Sequence, residues 1–299
     1  MMNLTLKQLR YVDALARHRH FGRAADACAV SQPALSMQIG ALEDTLGQPL
    51  FERGPRAVLP TRLGETFAAR AAAILRAVDD LGDLARASSE VPGGRMRLGV
   101  IPTIAPYLVP HLIPALARAL PDLDLHIRET TTARLVEELK DGRIDTAILA
   151  LPSGDPLLSE TPLLSEHFVL VRPDNATGPS PTLDDLGSER LLLLEEGHCL
   201  RDQALSFCST ARGGARDGLD GSSLSTLVQM VGAGLGITLI PEMAIPIETR
   251  SAAVRISRFH GAQPGRDIGM VWRRTSPLED HLHRIAGIVR TVAEGLRSD

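Results

Sequence analysis

Cys199 and Cys208 stand nine residues apart in the segment LLLLEEGHCLRDQALSFC, residues 191–208. A thiol does chemistry as its thiolate, and a helix N-terminus is a place that favours the thiolate. Cys199 follows an apolar run and a Glu-Glu-Gly turn, where a helix should begin. Cys208 falls further along the same helix, beside Phe207 and at an apolar position. If that helix is continuous, a rise of ~1.5 Å per residue separates the two Cα atoms by roughly 13 Å. A disulfide needs Cα atoms within about 7 Å. The pair is therefore either two unrelated thiols or a switch whose bond forms only when local structure is remade. Making Cys199 mostly thiolate at neutral pH takes a shift of about two units from a free thiol, or ~2.7 kcal/mol. An exposed helix dipole supplies only ~0.3–1 kcal/mol of that. Glu195 and Glu196 oppose the shift, so a cation should lie close, and His198 and Arg201 are the neighbours in sequence.

These residues need a scaffold, and the chain has room for one. Its 299 residues are 44% hydrophobic but only 3% aromatic, so the core is aliphatic and large enough for two domains. The net charge of −4 is uneven: residues 1–62 hold eight Lys/Arg against five Asp/Glu, leaving +3 there and −7 in the remainder. A basic N-terminal part on an acidic body points to a polyanion for the first part alone. Three cysteines do not make a disulfide scaffold. No metal-ligand spacing and no cofactor motif is evident, and an enzyme is not expected. The most apolar stretch, Leu224–Ile247, is punctuated by Gln229, glycines and Pro241, and reads as a buried helix and strand. Met1–Arg10 reads as the start of a soluble helix rather than a signal peptide, and a reducing cytoplasm is expected.

The punctuation divides the chain further. Leu4–Leu15 and Phe21–Cys28 are helices, and Ser31 caps a third in which Pro33 suits the first turn. Leu35, Ile39, Leu42 and Leu46 form its buried face, and Gly47 ends it. Short strands Leu50–Arg53 and Ala57–Leu59 flank Gly54-Pro55-Arg56, giving a wing. From Thr61 to Arg86 a helix carries Phe67, Ala71, Ile74, Val78, Leu81 and Ala85 at alternating steps of four and three, a seam that wants a partner helix. Ser88–Gly94 reads as a hinge. Beyond it strands and helices alternate: Arg95–Ile101, a helix from Ile104, Leu123–Glu129, a helix capped near Thr132, and Ile144–Leu149. A second set runs Phe168–Val171, Arg190–Leu194, the Cys199 helix, Leu224–Ala233, Gly236–Ile240 and Val254–Ile256, with a return through Ile268–Trp272. Such alternation implies parallel sheets in two α/β subdomains around a cleft. The expected domains are thus 1–62, 63–93 and 94–299. Thr103, at the end of the first strand, and Thr132, at a helix start, are hydroxyls where ligands gather in α/β sheets. Cys28 reads as a small core residue.

The stretch FGRAADACAVSQPALSMQI, with LFER at 50–53 and LPTRLG at 59–64, resembles the winged helix–turn–helix of the LysR-type transcriptional regulators. GHCLRDQALSFC and the run TIAPYLVP at 103–110 resemble that family's hydrogen-peroxide-sensing branch, and the resemblance covers nearly the whole chain. It implies an α/β protein: an N-terminal winged helix–turn–helix, a long linker helix, and a two-subdomain effector-binding domain like that of periplasmic binding proteins. It implies DNA contacts from Gln32, Pro33, Ser36, Gln38, Arg53, Arg56 and Thr61. Met37 and Ala34 depart from what relatives carry, so base readout transfers least. It implies a peroxide pocket built from Thr103, Thr132, His198 and Arg266, the last in PGRDIGMVW, and a Cys199–Cys208 disulfide formed through a sulfenic acid. Hydrogen peroxide would be the signal, with no cofactor and no metal. Further expected partners are a second copy through Phe67, Ala71, Ile74, Val78 and Leu81, a tetramer, RNA polymerase, and a reductant such as glutaredoxin or thioredoxin; no membrane is expected. The alternative is a LysR-type regulator that binds a metabolite and whose cysteines are inert.

Overall fold

The computed structural model describes residues 4–54, 57–178, 182, 183, 186, 189–208 and 220–296. The chain divides into two units, Met1–Ala85 and Arg86–Asp299.

In the first unit, helix α1 (Leu6–His18) opens on a capping box in which the Thr5 hydroxyl and the Gln8 side chain each accept the other's backbone N–H. It starts two residues later and runs three residues further than the pattern indicated, until Arg19 takes φ +50°. Helix α2 (Phe21–Ala27) is capped by an imidazole: His20 Nδ1 accepts from Gly22 N and Arg23 N. Helix α3 (Gln32–Leu46) begins at Ser31, whose hydroxyl accepts from Ala34 N, and ends at Gly47 with φ +67°. Leu35, Ile39 and Leu42 are buried against Tyr11, Val12, Leu15 and Ala24. Strands β1 (Phe51–Arg53) and β2 (Val58–Pro60) pair antiparallel as the wing.

Helix α4 (Arg62–Ala87) leaves the wing through a tight crossing. The Thr61 hydroxyl donates towards Pro49 O and Leu50 O and accepts from Gly64 N. A Cβ on Gly64 would sit 1.9 Å from the Leu50 carbonyl oxygen. The run LPTRLG therefore carries its glycine because backbone meets backbone there. The α4 seam is not uniform. Phe67 packs against the first unit's core and Ala71 is buried, whereas Ile74 is 47% and Leu81 65% exposed. The first two seam positions are spent within the chain, and only the later ones remain open.

The second unit is built on a seven-stranded sheet, in the order β10-β6-β11-β5-β3-β4, with β9 also on β6. Its strands are β3 (Gly94–Val100), β4 (Leu123–Glu129), β5 (Thr146–Leu151), β6 (Leu158–Pro173), β9 (Thr238–Pro241), β10 (Val254–Ser257) and β11 (Gly265–Arg273). Only β3 runs parallel to its neighbours β4 and β5; β11 is antiparallel to β5 and β6, and β6 is antiparallel to β9 and β10. The expectation of parallel sheets is thus corrected. The chain passes from β5 to β6 by a turn instead of a helix, and β11 then returns between them, which antiparallel pairing allows.

Strand β6 is far longer than the Phe168–Val171 segment its apolar run marked. Its first part pairs with β11 up to His167, and its second pairs with β9 and β10 from Phe168 onward. The two parts serve two cores. One gathers Val100, Leu108, Leu112, Ile148, Met270 and Trp272 under α5 (Ala105–Ala119), α6 (Thr132–Lys140) and α10 (Glu279–Gly295). The other gathers Phe168, Leu192, Leu194, Leu200, Val228 and Ile240 under α7 (Cys199–Cys208), α8 (Leu224–Gly232) and the short α9 (Ile245–Glu248). A short parallel pair, β7 (Leu193–Leu194) and β8 (Asp220–Gly221), leads into α7. Tyr107 of α5 reaches the second core and donates to Glu248 Oε1 at 2.7 Å. Burial and that carboxylate together hold the phenol well above its ordinary pKa. The segment Ser88–Gly94 is tied down by α10, since His281 Nε2 lies 2.8 Å from Ser89 O and Arg284 donates to Glu90 O. No described helix is long and apolar enough to cross a membrane.

Gly64→Ala should destabilise the first unit by about 1–3 kcal/mol, since the added carbon meets backbone that a rotamer change cannot move. Urea unfolding of the variant against wild type measures this; an unchanged midpoint would show that the crossing can open freely.

Candidate functional site

Cys199 is the first residue of α7. The chain arrives from β7, turns at Glu195-Glu196-Gly197 with Gly197 at φ +94°, and the His198 carbonyl accepts from Arg201 N. Cys199 is half-buried and packs against the first core, not the second core that its own helix covers. An ideal Cβ on Gly197 would lie 3.8 Å from Thr131 Cγ2, so the turn before α7 rests on the start of α6. Helix α6 starts at Thr132 as expected, and its N-cap position is Thr131, whose side chain makes no capping bond. Thr132 is the first helical residue, and its Oγ1 is buried with no hydrogen-bond partner among the described residues. A buried hydroxyl left so costs about 1–3 kcal/mol, which a small hydrogen-bonding ligand would recover.

Arg266 and Thr103 meet directly. Arg266 Nη1 donates to Thr103 Oγ1 at 2.7 Å and Nη2 to Thr103 O at 3.0 Å. Because Thr103 Oγ1 accepts in that bond, its own proton is left to donate elsewhere. Arg266 is the cation of the pocket that the resemblance implies. The structure adds a counter-charge: Glu166 Oε1 accepts from Arg266 Nε at 2.8 Å and lies 2.7 Å from Nη2. Both side chains are buried, and Glu166 Oε2 also accepts from Met243 N. Arg266 further lies 5.7 Å from the centre of the Phe168 ring. Glu166 escaped the sequence analysis because nothing local marks it. It faces Arg266 only through the β6–β11 register, in which Arg266 and Glu166 are direct partners. Arg201, the other cation expected near Cys199, donates to Leu194 O at 2.7 Å and pairs with Asp220 at 2.8 Å, so it ties α7 to β7 and β8.

Helix α7 is unbroken from Cys199 to Cys208, which keeps their Cα atoms roughly 13 Å apart. The Cys208 side chain lies outside the described residues. His198 is half-buried beside Cys199.

In the first unit, Gln32 and Pro33 are exposed at the start of α3, while Ser36 and Gln38 are half-buried. Met37, between them, is 67% exposed. Arg53 sits over the Phe21 ring at 5.3 Å and 3.9 Å from Glu43 Oε2. Glu43, which the sequence did not single out, accepts from Leu50 N and Phe51 N and so fastens the wing to α3. The Thr61 hydroxyl is committed to Pro49, Leu50 and Gly64, a structural use beside any phosphate contact. Arg56 lies outside the described residues. Cys28 closes α2 half-buried, and burial pushes its thiol up against the opposing pull of Arg17 and Arg10.

Arg266→Ala should cost about 3–5 kcal/mol, because it leaves the Glu166 carboxylate buried without its cation. The double replacement of Glu166 by Gln and Arg266 by Met should regain most of that. Denaturant midpoints of the two variants check the pair; equal loss in both would mean that the ion pair is not what the single replacement breaks.

A family model described as a bacterial regulatory helix-turn-helix protein of the lysR family matches residues 6–65, and one described as a LysR substrate binding domain matches residues 89–294. The chain is 41% identical over 295 residues to the DNA-binding transcriptional dual regulator OxyR of Escherichia coli, covering 98% of this chain and 97% of the relative. It is similar to a full-length OxyR structure from Pseudomonas aeruginosa with a TM-score of 0.76 at 36% identity, covering 97% and 96% of the two chains. It is also similar to a hydrogen-peroxide-bound OxyR variant from Corynebacterium glutamicum, with a TM-score of 0.67 at 35% identity, covering 99% and 95%.

Proposed function

Because the chain belongs to the LysR family of bacterial transcriptional regulators, and to its OxyR branch, we propose that Cys199 and Cys208 are its hydrogen peroxide sensor. The chain is a DNA-binding regulator of peroxide-inducible genes. The observation that carries the sensor reading is the placement of the two cysteines at the two ends of one helix, with the first in contact with the opposite core.

The chemistry runs in two steps. The Cys199 thiolate attacks one peroxide oxygen; the O–O bond breaks, the sulfur is oxidised by two electrons to a sulfenic acid, and hydroxide leaves to be protonated. Thr103, with its proton free, and Thr132, with its hydroxyl unpartnered, are the donors suited to hold the peroxide and stabilise the leaving oxygen, together with His198. Arg266 acts through Thr103, whose lone pair it occupies. Cys208 then attacks the sulfenic sulfur; an S–S bond replaces the S–O bond, and water leaves with the Cys208 proton. The second step cannot happen within an intact α7, so the helix is remade as the bond forms. A dithiol reductant such as glutaredoxin or thioredoxin resets the switch by thiol–disulfide exchange.

The first unit supplies the DNA end. Gln32, Ser36 and Gln38 at the front of α3 face base edges, and Arg53 and Arg56 on the wing meet phosphate. The exposed Ile74 and Leu81 of α4, with Val78, join two copies, and pairs of dimers form the tetramer. RNA polymerase is the partner through which activation is read, in the cytoplasm. Replacing Ile74 and Leu81 together by Asp should leave the chain folded but abolish dimers in analytical sedimentation; retention of the wild-type assembly would assign the seam to some other contact.

Intact-mass measurement after a peroxide pulse tests the sensor. Wild type should lose two mass units as the disulfide forms. Cys199→Ser should not react. Cys208→Ser should gain one oxygen, and then a second, at Cys199. If neither single variant differs from wild type, the sensing role is wrong; if the two patterns are exchanged, the order of the cysteines is reversed.

A further inference from the structure

The face of α7 that meets the protein includes Leu200, Ala204 and Phe207, at i, i+4 and i+7. Leu200 and Ala204 are buried, and Phe207 packs against the second core. The start of the helix has further ties. Arg201 bonds Leu194 O and Asp220, and Cys199 itself packs on the first core. Closing roughly 13 Å to under about 7 Å must therefore move the other end. Beyond Ala204 the apolar contacts there are made by Leu205, half-buried on the cluster of Leu170 and Leu239, and by the Phe207 ring, one residue before Cys208. Its centre lies 5.9 Å from that of Phe168, tilted by 55°. Phe168 is fully buried and carries the Arg266 guanidinium 5.7 Å from the same ring.

We propose that Phe207 is the latch that sets how fast Cys208 reaches Cys199: its ring must leave Phe168 before the disulfide can form. Phe207 is a positioning residue for the resolving step and takes no part in the peroxide step. Its departure uncovers the ring on which Arg266 lies, so formation of the disulfide is felt at the Arg266–Glu166 pair as well as in α7. The inference rests on the Cys199–Cys208 switch proposed above.

The test follows the two steps separately in the full-length protein, by rapid mixing with hydrogen peroxide, trapping of the sulfenic acid with dimedone, and intact mass. Phe207→Ala should leave the peroxide-dependent first step within about twofold of wild type and speed the peroxide-independent second step about tenfold, the scale of one lost aromatic contact with part of a ring's burial. In glutathione buffers its disulfide should be favoured by a similar factor. Phe207→Leu, which keeps bulk but no ring, should speed the second step by a few-fold, and it carries the test if the alanine variant does not fold. Phe207→Tyr should restore the wild-type rate. General loosening of the fold would change both steps, so a change in both overturns the proposal, as does a second step at wild-type rate in the alanine and leucine variants. A wild type that yields sulfenic acid but no Cys199–Cys208 bond would defeat the switch itself, and the latch with it.

Discussion

A rise of ~1.5 Å per residue is the constraint around which the C-terminal unit is arranged. As long as α7 stays helical, Cys199 and Cys208 are held apart by backbone hydrogen bonds, and no side-chain motion can bring the sulfurs together. The thiol pair is thus coupled to secondary structure, not to local side-chain rotation. Closing a loop of about nine residues is worth roughly 2–3 kcal/mol on the chain-entropy view. The contacts of a single helical turn are of that same order. Neither side dominates, which is the condition for a two-state element that oxidation can tip and reduction can restore.

The second organising feature is the crossing of β6 and β11. Strand β6 belongs to one core up to His167 and to the other from Phe168. At that point the sheet places Glu166 opposite Arg266, and Arg266 in turn reaches Thr103 at the start of α5. A buried cation alone would be costly, and a buried carboxylate alone equally so. Together they cost less, and they leave the guanidinium a defined direction in which to donate. The pair also tempers the charge that Arg266 presents.

Much of this was legible from residue types. Ser31, Gly47 and Thr61 mark helix ends because their chemistry is local, and Gly197 marks the turn into α7 for the same reason. What failed needed partners distant in sequence. Alternating strands and helices suggested parallel pairing, but the turn after β5 contains no helix, and only the register shows that β11 slips between β5 and β6. Glu166 and Glu43 are ordinary acids in sequence, and each acquires its role from a group that folding brings to it. The seam of α4 was read as one stripe. Periodicity identifies an apolar face but cannot say which part is covered by its own domain, and here Phe67 is while Leu81 is not. The start of α6 near Thr132 was legible, but only the structure shows that the N-cap position falls on Thr131 and leaves the Thr132 hydroxyl without a partner among the described residues.

That hydroxyl bears on what the site selects. A metabolite-binding cleft is lined by several groups spread over a wide surface, and its occupant is held by shape. Here two hydroxyls near helix starts have free capacity: Thr132, buried with no partner among the described residues, and Thr103, whose proton is left free by the bond from Arg266. A small molecule whose oxygens can each donate and accept suits such hydroxyls. The Gly197 turn rests on Thr131, next to the Thr132 hydroxyl, so a ligand bonded to Thr132 would lie near the start of the helix that carries Cys199. On this argument the Thr132 hydroxyl and the thiol share one piece of packing, since the contact that seats the start of α6 against the Gly197 turn also lies where α7 begins.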